Sequence, residues 1–192
     1  MKKNNIQKLT LSAMFLALGL VLPFVTGQIR EIGNMLLPMH IPVLLCGLIC
    51  GWHYGMAVGF VMPVLRSMLF GMPIMYPMAI SMAFELATYG LVIGFLYSKS
   101  KWKCIVALYK AMIVAMFAGR IVWGLASMVL LGVRGQAFTT QAFLTGAFFN
   151  AIPGILLQLI LIPAIMVALG RAKLVPFSKH RKTENCHAEA NK

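Results

Sequence analysis

The sequence predicts an all-α, polytopic membrane protein with six transmembrane helices and both termini in the cytoplasm. The first observation is composition: 60% of the 192 residues are hydrophobic and 11% are charged, which is too apolar for a soluble domain. The second is charge placement, because most of the 17 Lys and Arg residues lie in short segments between long apolar runs. This placement indicates cytoplasmic loops beside an anionic lipid leaflet and argues against nucleic-acid binding, since no basic face is formed.

Six apolar runs are candidates for the spans, because a bilayer crossing needs roughly 20 apolar residues. They cover residues 9–25, 36–50, 54–71, 74–97, 104–133 and 143–169. The second run is short and contains Pro38 and Pro42, and the third contains Pro63; neighbouring helices accommodate such prolines. We therefore expect a single six-helix transmembrane domain over residues 1–170 and a basic cytoplasmic tail over residues 171–192.

The distribution of Lys and Arg predicts the orientation. With both termini inside, only Arg30 and Arg134 flank the spans on the outside. The inside then holds the basic tail and Lys2, Lys3, Lys8, Lys99, Lys101 and Lys103. The opposite orientation places nearly all of this charge outside, which the positive-inside rule disfavours.

Motifs of catalysis and metal binding are absent from the sequence. It has no HExxH, no GxSxG and no Walker lysine, so we expect neither an enzyme nor an ATPase domain. Cys46 and Cys50 share a predicted helix face, but no second Cys or His pair lies at zinc spacing. We expect no metal site and no cofactor.

Ionisable side chains that stand alone inside the apolar runs include His40, Arg66, Glu85 and Arg120. A charge in a bilayer core costs at least a few kcal/mol, so each is a functional candidate. In the predicted orientation all four lie in the outer half or near the middle. A channel or proton relay needs polar groups at successive depths, so the pattern favours a pocket loaded from outside.

The charges of these residues suggest an anionic ligand. Glu85 pairs with Arg66 or with Arg120, and such a pair could simply hold helices together. With His40 neutral, however, two arginines beside one carboxylate leave an excess positive charge, which is costly when buried. A carboxylate ligand would balance it, and arginine favours carboxylates through its bidentate fork.

The predicted substrate-binding residues combine these side chains with polar and aromatic neighbours at similar depth. They are Asn34, His40, Arg66, Tyr76, Glu85, Arg120, Trp123 and Asn150. Several have alternative roles: His40 as a hydrogen-bonded structural residue, Tyr76 and Trp123 as interface anchors, and Asn150 as a bridge between helices. Gln158 is interpreted as a further helix-bridging side chain.

Ala13 and Ala17 form a small-residue pair on one face of the first span, with Gly19 nearby. Small residues four apart allow another helix to approach closely. The pair either packs inside the chain or contacts a partner.

Three segments carry a family resemblance: LPMHIPV (37–43), GWHYG (51–55) through PVLRS (63–67), and ELATYG (85–90). With these segments, the size, the six spans and the alanine pair, the chain through residue 169 resembles the substrate-binding S components of energy-coupling factor (ECF) vitamin transporters. It looks most like the broad group that includes folate and pantothenate carriers.

The resemblance implies a high-affinity membrane subunit of an importer in the bacterial plasma membrane. It implies that a vitamin or related micronutrient binds near the outer face. From the buried charges we expect this substrate to be a small organic acid such as pantothenate. The resemblance also implies that Ala13 and Ala17 dock onto a transmembrane coupling (T) subunit that carries two cytoplasmic ATPase subunits. The alternative is a small stand-alone secondary transporter or channel subunit.

Overall fold

The computed structural model describes residues 2–25, 38–100, 105–133 and 152–171. These residues form six α-helices, and a wide helical turn, Met75–Ala79, leads into the fourth. The helices are α1 (Lys2–Val25), α2 (His40–Cys50), α3 (Trp52–Phe70), α4 (Ile80–Lys99), α5 (Ile105–Val133) and α6 (Ile152–Arg171). The predicted all-α class is confirmed for this part of the chain.

Four helical segments are long and apolar enough to cross a membrane. They are Asn5–Phe24, Met75–Lys99, Ile105–Val133 and Ile152–Arg171, and α2 is a shorter apolar helix. The protein is therefore a multi-pass membrane protein. Arg30 and Arg134, on which the predicted orientation depends, and the tail beyond Arg171 lie outside the described residues.

The short helix α2 lies in the centre of the bundle. Ten of its 11 residues are buried, and it packs against α1, α3, α4 and α6. An 11-residue helix rises about 16 Å, roughly half the thickness of a bilayer core. Gly51, with φ of 105°, is the single residue between α2 and α3, and this backbone conformation strongly favours glycine. The sharp reversal sets the two helices against each other.

Glycines bring the backbones of α3 and α4 into direct contact. A Cβ atom built on Gly90 would lie 2.2 Å from the carbonyl oxygen of Gly55, and one on Gly59 would lie 2.3 Å from that of Leu86. Small residues permit such approach between helices in lipid, where van der Waals packing rather than hydrophobicity drives association. This contact fixes α4 at the middle of the structure.

Helix α1 lies at the periphery. Only 17% of the apolar stretch of α1 is buried within the chain, whereas 50% of the apolar stretch in the segment Met75–Lys99 is buried. Gly19 is buried and faces Met62 of α3, whereas Ala13 and Ala17 are exposed. Packing inside the chain therefore uses Gly19 and leaves the alanine pair uncovered.

We predict that Gly90→Ala strongly destabilises the protein, because the added methyl group would collide with backbone atoms of Gly55 that cannot move independently. The matched control is Gly132→Ala on α5, where a Cβ atom meets nothing within 4 Å. That change should stabilise the helix by roughly 0.5–1 kcal/mol, since glycine is entropically costly in helices. Thermal unfolding of both variants in detergent measures the difference, and equal melting temperatures would contradict the prediction.

Candidate substrate site

A buried polar cluster, here called the Glu85 cluster, joins α2, α4 and α5. It consists of His40, Glu85, Tyr89 and Arg120, which are between 1% and 6% exposed. Arg120 Nη1 lies 3.0 Å from Glu85 Oε1, and the Tyr89 hydroxyl donates a hydrogen bond to the same oxygen at 3.1 Å. His40 Nε2 lies 3.6 Å from that oxygen, which is longer than a hydrogen bond.

Helix spacing explains how the cluster forms. Glu85 and Tyr89 are one turn apart on α4, so their side chains share a face. The edge of the Tyr89 ring meets the ring of His40, with centroids 5.2 Å apart. On α5, the residue before Arg120 is Gly119, where a Cβ atom would lie 2.7 Å from the Tyr89 ring. The absent side chain at 119 lets α5 bring Arg120 against Glu85.

Several nitrogens of the Glu85 cluster have no hydrogen-bond partner among the described residues. They are Arg120 Nε and Nη2 and both ring nitrogens of His40, all of which are buried. Nε and Nη2 are neighbours on one edge of the planar guanidinium, and Nη1, on the other side, is directed at Glu85. The vacant edge matches the two oxygens of a carboxylate.

Arg66 lies in a different environment. Its Nη1 donates a hydrogen bond of 2.9 Å to the carbonyl of Leu20, and its guanidinium lies over the rings of Phe24 and Phe70, 5.6 and 5.8 Å from their centroids. Pro23 lacks the N–H that would bond to the carbonyl of Gly19, the residue before Leu20. Arg66 thus joins the end of α1 to the end of α3, and Glu85 takes Arg120 as its ion-pair partner.

Two of the remaining predicted site residues, Tyr76 and Trp123, lie in the described part of the chain. Tyr76 has extended backbone angles in the turn that leads into α4, and its hydroxyl donates a hydrogen bond to the carbonyl of Leu130 on α5. Trp123 is half-buried on α5, one turn beyond Arg120. Asn34 and Asn150 lie outside the described residues. The structure therefore brings together His40, Glu85 and Arg120 from the predicted set.

Comparison with known protein families identifies the chain. Residues 7–166 match the family model of the ECF transporter substrate-specific component. The chain belongs to this family. No curated protein and no solved structure matches it. As an ECF substrate-specific component, it is a transmembrane transport protein that binds a small-molecule substrate and functions with the T and ATPase subunits of an ECF complex, rather than as an enzyme.

Two buried polar residues of this ECF component were not assigned to the site from the sequence. Tyr89 was overlooked, although its position four residues after Glu85 places both on one helix face. Gln158, for which the sequence predicts a bridge between helices, is buried, and its side-chain nitrogen has no hydrogen-bond partner among the described residues. Among the described residues, no group of three or more His, Cys, Asp or Glu side chains could hold a metal ion.

We predict that Glu85→Leu destabilises the protein by about 3–5 kcal/mol, because it leaves the Arg120 guanidinium buried without a counter-charge. The double variant Glu85→Leu with Arg120→Met should recover much of this loss, since both charges are then removed. Chemical unfolding of the wild type, the single variant and the double variant measures the effect. A double variant no more stable than Glu85→Leu would show that the lost stability does not come from the unpaired guanidinium.

Proposed function

We propose that the protein is the high-affinity substrate-binding subunit of an ECF-type importer for a vitamin or related micronutrient, in the plasma membrane of a bacterium. The family match supports the role as a substrate-specific component. In this proposal a transmembrane coupling subunit and two cytoplasmic ATPases drive release of the substrate into the cell. The chain itself supplies the binding site and the surface that docks onto the coupling subunit.

The substrate in this proposal is a small organic acid, with pantothenate as the named candidate of the folate and pantothenate group. The observation that carries it is the vacant Nε and Nη2 edge of Arg120, which is buried and requires acceptors. The Glu85 and Arg120 charges balance within the cluster, so unpaired donors rather than an excess cation are what favour a carboxylate. Glu85 holds the guanidinium in the orientation that presents this edge.

Other polar side chains complete the proposed site around the acid. The free nitrogens of His40 offer a further donor to the substrate. In this proposal Trp123 forms an apolar wall, and Tyr76, Asn34 and Asn150 supply further polar contacts. Arg66 is the alternative partner for the acid, but its contacts with Leu20 and two aromatic rings favour a structural role.

The exposed alanine pair supports a docking role for α1. Ala13 and Ala17 lie one turn apart on a helix that buries little of its surface within the chain. In lipid, a strip of small residues favours close approach by another helix. We propose that this strip contacts the coupling subunit.

For topology, we propose six spans with both termini in the cytoplasm, on the basis of the charge bias. An introduced Ile29→Cys should then react with a membrane-impermeant thiol reagent added to intact cells. A matched cysteine in the basic tail, Ser178→Cys, should react only after permeabilisation. The reverse pattern would contradict the proposed orientation.

For the ligand, we predict that Arg120→Lys lowers the affinity for pantothenate roughly thirtyfold or more. The affinity for the neutral amide of pantothenate should fall much less. Lysine keeps a positive charge beside Glu85 but lacks the bidentate edge. Arg66→Lys is the matched control, because it makes the same exchange outside the Glu85 cluster and should change affinity little. Calorimetric titration of the purified proteins measures both ligands.

Two results would redirect this assignment. Equal affinity of the wild type and Arg120→Lys for pantothenate would remove Arg120 from the binding site. A large loss in Arg66→Lys alone would assign the acid to Arg66. If pantothenate does not bind the wild type, mass spectrometry of small molecules that co-purify with the protein identifies the acid to titrate instead.

For docking, we predict that Ala13→Trp or Ala17→Trp disrupts assembly with the coupling and ATPase subunits but preserves pantothenate binding by the isolated chain. Leu18→Trp is the control, since this exposed position of α1 already carries a large side chain. Co-purification of the complex and calorimetry of the isolated subunit report the two properties. Uptake by the chain alone in liposomes would instead support a stand-alone transporter.

A further inference from the structure

His40 lies beside an ion pair whose charges already balance. Its Nε2 atom is 3.6 Å from Glu85 Oε1, and the side chain is 1% exposed. Glu85 and Arg120 neutralise each other across a distance of 3.0 Å. A proton on His40 beside this pair adds a buried positive charge that has no counter-charge, which is costly. The neutral imidazole is therefore the form that suits the Glu85 cluster by itself.

A carboxylate bound at Arg120 changes this balance. The Glu85 cluster and the substrate acid then hold two carboxylates and one guanidinium, so negative charge is in excess. An uncompensated buried anion is as unfavourable as an uncompensated buried cation, so binding calls for a further positive charge. His40 is suited to supply it, because imidazole is the side chain that changes charge near neutral pH.

The ring nitrogens of His40 are compatible with the protonated state. Both are buried and have no hydrogen-bond partner among the described residues. The protonated ring has two donors and no acceptor, and the atom that Nε2 approaches, Glu85 Oε1, is an acceptor. A shift of about 0.5 Å would turn this contact into a charge-assisted hydrogen bond. The oxygens of a substrate carboxylate would add further acceptors.

The titratable groups that face His40 belong to the Glu85 cluster. Glu85 and Tyr89 on α4 contact it, and Arg120 on α5 lies on the same carboxylate oxygen of Glu85. Arg66 on α3 is directed at Leu20 of α1 instead. Other titratable side chains of these helices lie further along α2, beside its opposite end, or at the last residue of α6: Cys46, Cys50, Lys8, His53, Tyr54, Tyr97, Lys99 and Arg171. Glu85, Arg120 and the substrate therefore determine the charge of His40.

We propose that the protein binds its substrate acid together with one proton, which His40 takes up. The organic anion and the proton enter the Glu85 cluster as a neutral pair. Because the protonated form of His40 is favoured when the anion is bound, affinity for the anion rises as the pH falls through the range in which His40 titrates. This proposal rests on the proposed function, which places the substrate carboxylate at Arg120.

Calorimetric titration with pantothenate in buffers of different ionisation enthalpy measures proton uptake. The wild type should take up close to one proton per pantothenate at about pH 7.5, and its affinity should rise by up to about tenfold for each unit of falling pH between about pH 8 and 6. The carboxylate of pantothenate stays ionised in this range, since carboxylic acids titrate near pH 4.

Two matched variants assign the proton. His40→Gln keeps a hydrogen-bond donor near the position of Nε2 but does not titrate, so it should abolish the uptake and flatten the pH dependence of affinity. His53→Gln makes the same exchange at an exposed position near the start of α3 and should behave as the wild type. Binding of pantothenate by the wild type without proton uptake would overturn the proposal. Uptake that persists in His40→Gln would assign the proton to another group, such as Glu85, and would overturn it as well.

A second measurement needs no ligand. Arg120→Met removes the guanidinium and leaves His40 as the basic side chain beside Glu85. The melting temperature of this variant, relative to that of the wild type, should rise as the pH falls from about 8 to 6, because His40 gains a proton and a counter-charge in the folded state. Combining Arg120→Met with His40→Gln should remove this rise.

The two measurements separate this inference from the proposed function. If the wild type binds no pantothenate, the named acid is wrong, and the melting temperatures of the Arg120→Met variants decide. A rise that depends on His40 supports His40 as the proton acceptor of the Glu85 cluster. The absence of a rise, or a rise that survives His40→Gln, refutes it.

Discussion

The ion pair between Glu85 and Arg120 constrains the whole centre of the bundle. A buried carboxylate and a buried guanidinium are tolerable only when each neutralises the other, so α4 and α5 cannot slide by even one turn without breaking the pair. The same pair directs one edge of the guanidinium toward Glu85 and leaves the other edge vacant. In the proposed function, this second edge is the part of the guanidinium that receives the substrate carboxylate.

The backbone contact between α3 and α4 makes this placement possible. Gly55 and Gly90 let these helices approach until their backbones touch, which holds Glu85 at a fixed position in the interior. The glycine-rich composition predicts close helix packing, but it does not specify which glycines meet. Which glycines meet depends on how each helix is rotated about its axis. A sequence indicates the position of a residue along its helix more readily than this rotation.

Because a sequence does not specify how helices are rotated, it predicts only part of the candidate site. Lone charges within apolar runs identified His40, Glu85 and Arg120, because burial of such groups is rare without a reason. Depth alone could not separate Arg66 from Arg120 as the partner of Glu85. The aromatic partner Phe70, four residues after Arg66 on the same helix face, was the available signal for a separate role. Hydropathy likewise predicts an apolar run at residues 36–50, but it does not predict that α2 is buried along nearly its whole length, since apolar residues suit lipid and protein interiors equally well.

Buried donors without partners link the stability of the folded protein to the binding of its substrate. The Nε and Nη2 edge of Arg120, the ring nitrogens of His40 and Nε2 of Gln158 are buried without hydrogen-bond partners among the described residues. A molecule that supplies acceptors to such donors stabilises the folded state by an amount that grows with its affinity and concentration. Arg66, by contrast, donates a hydrogen bond to the carbonyl of Leu20, and its guanidinium lies over two aromatic rings. The contrast between the two arginines is the physical basis for placing the ligand at the Glu85 cluster and not at the junction of α1 and α3.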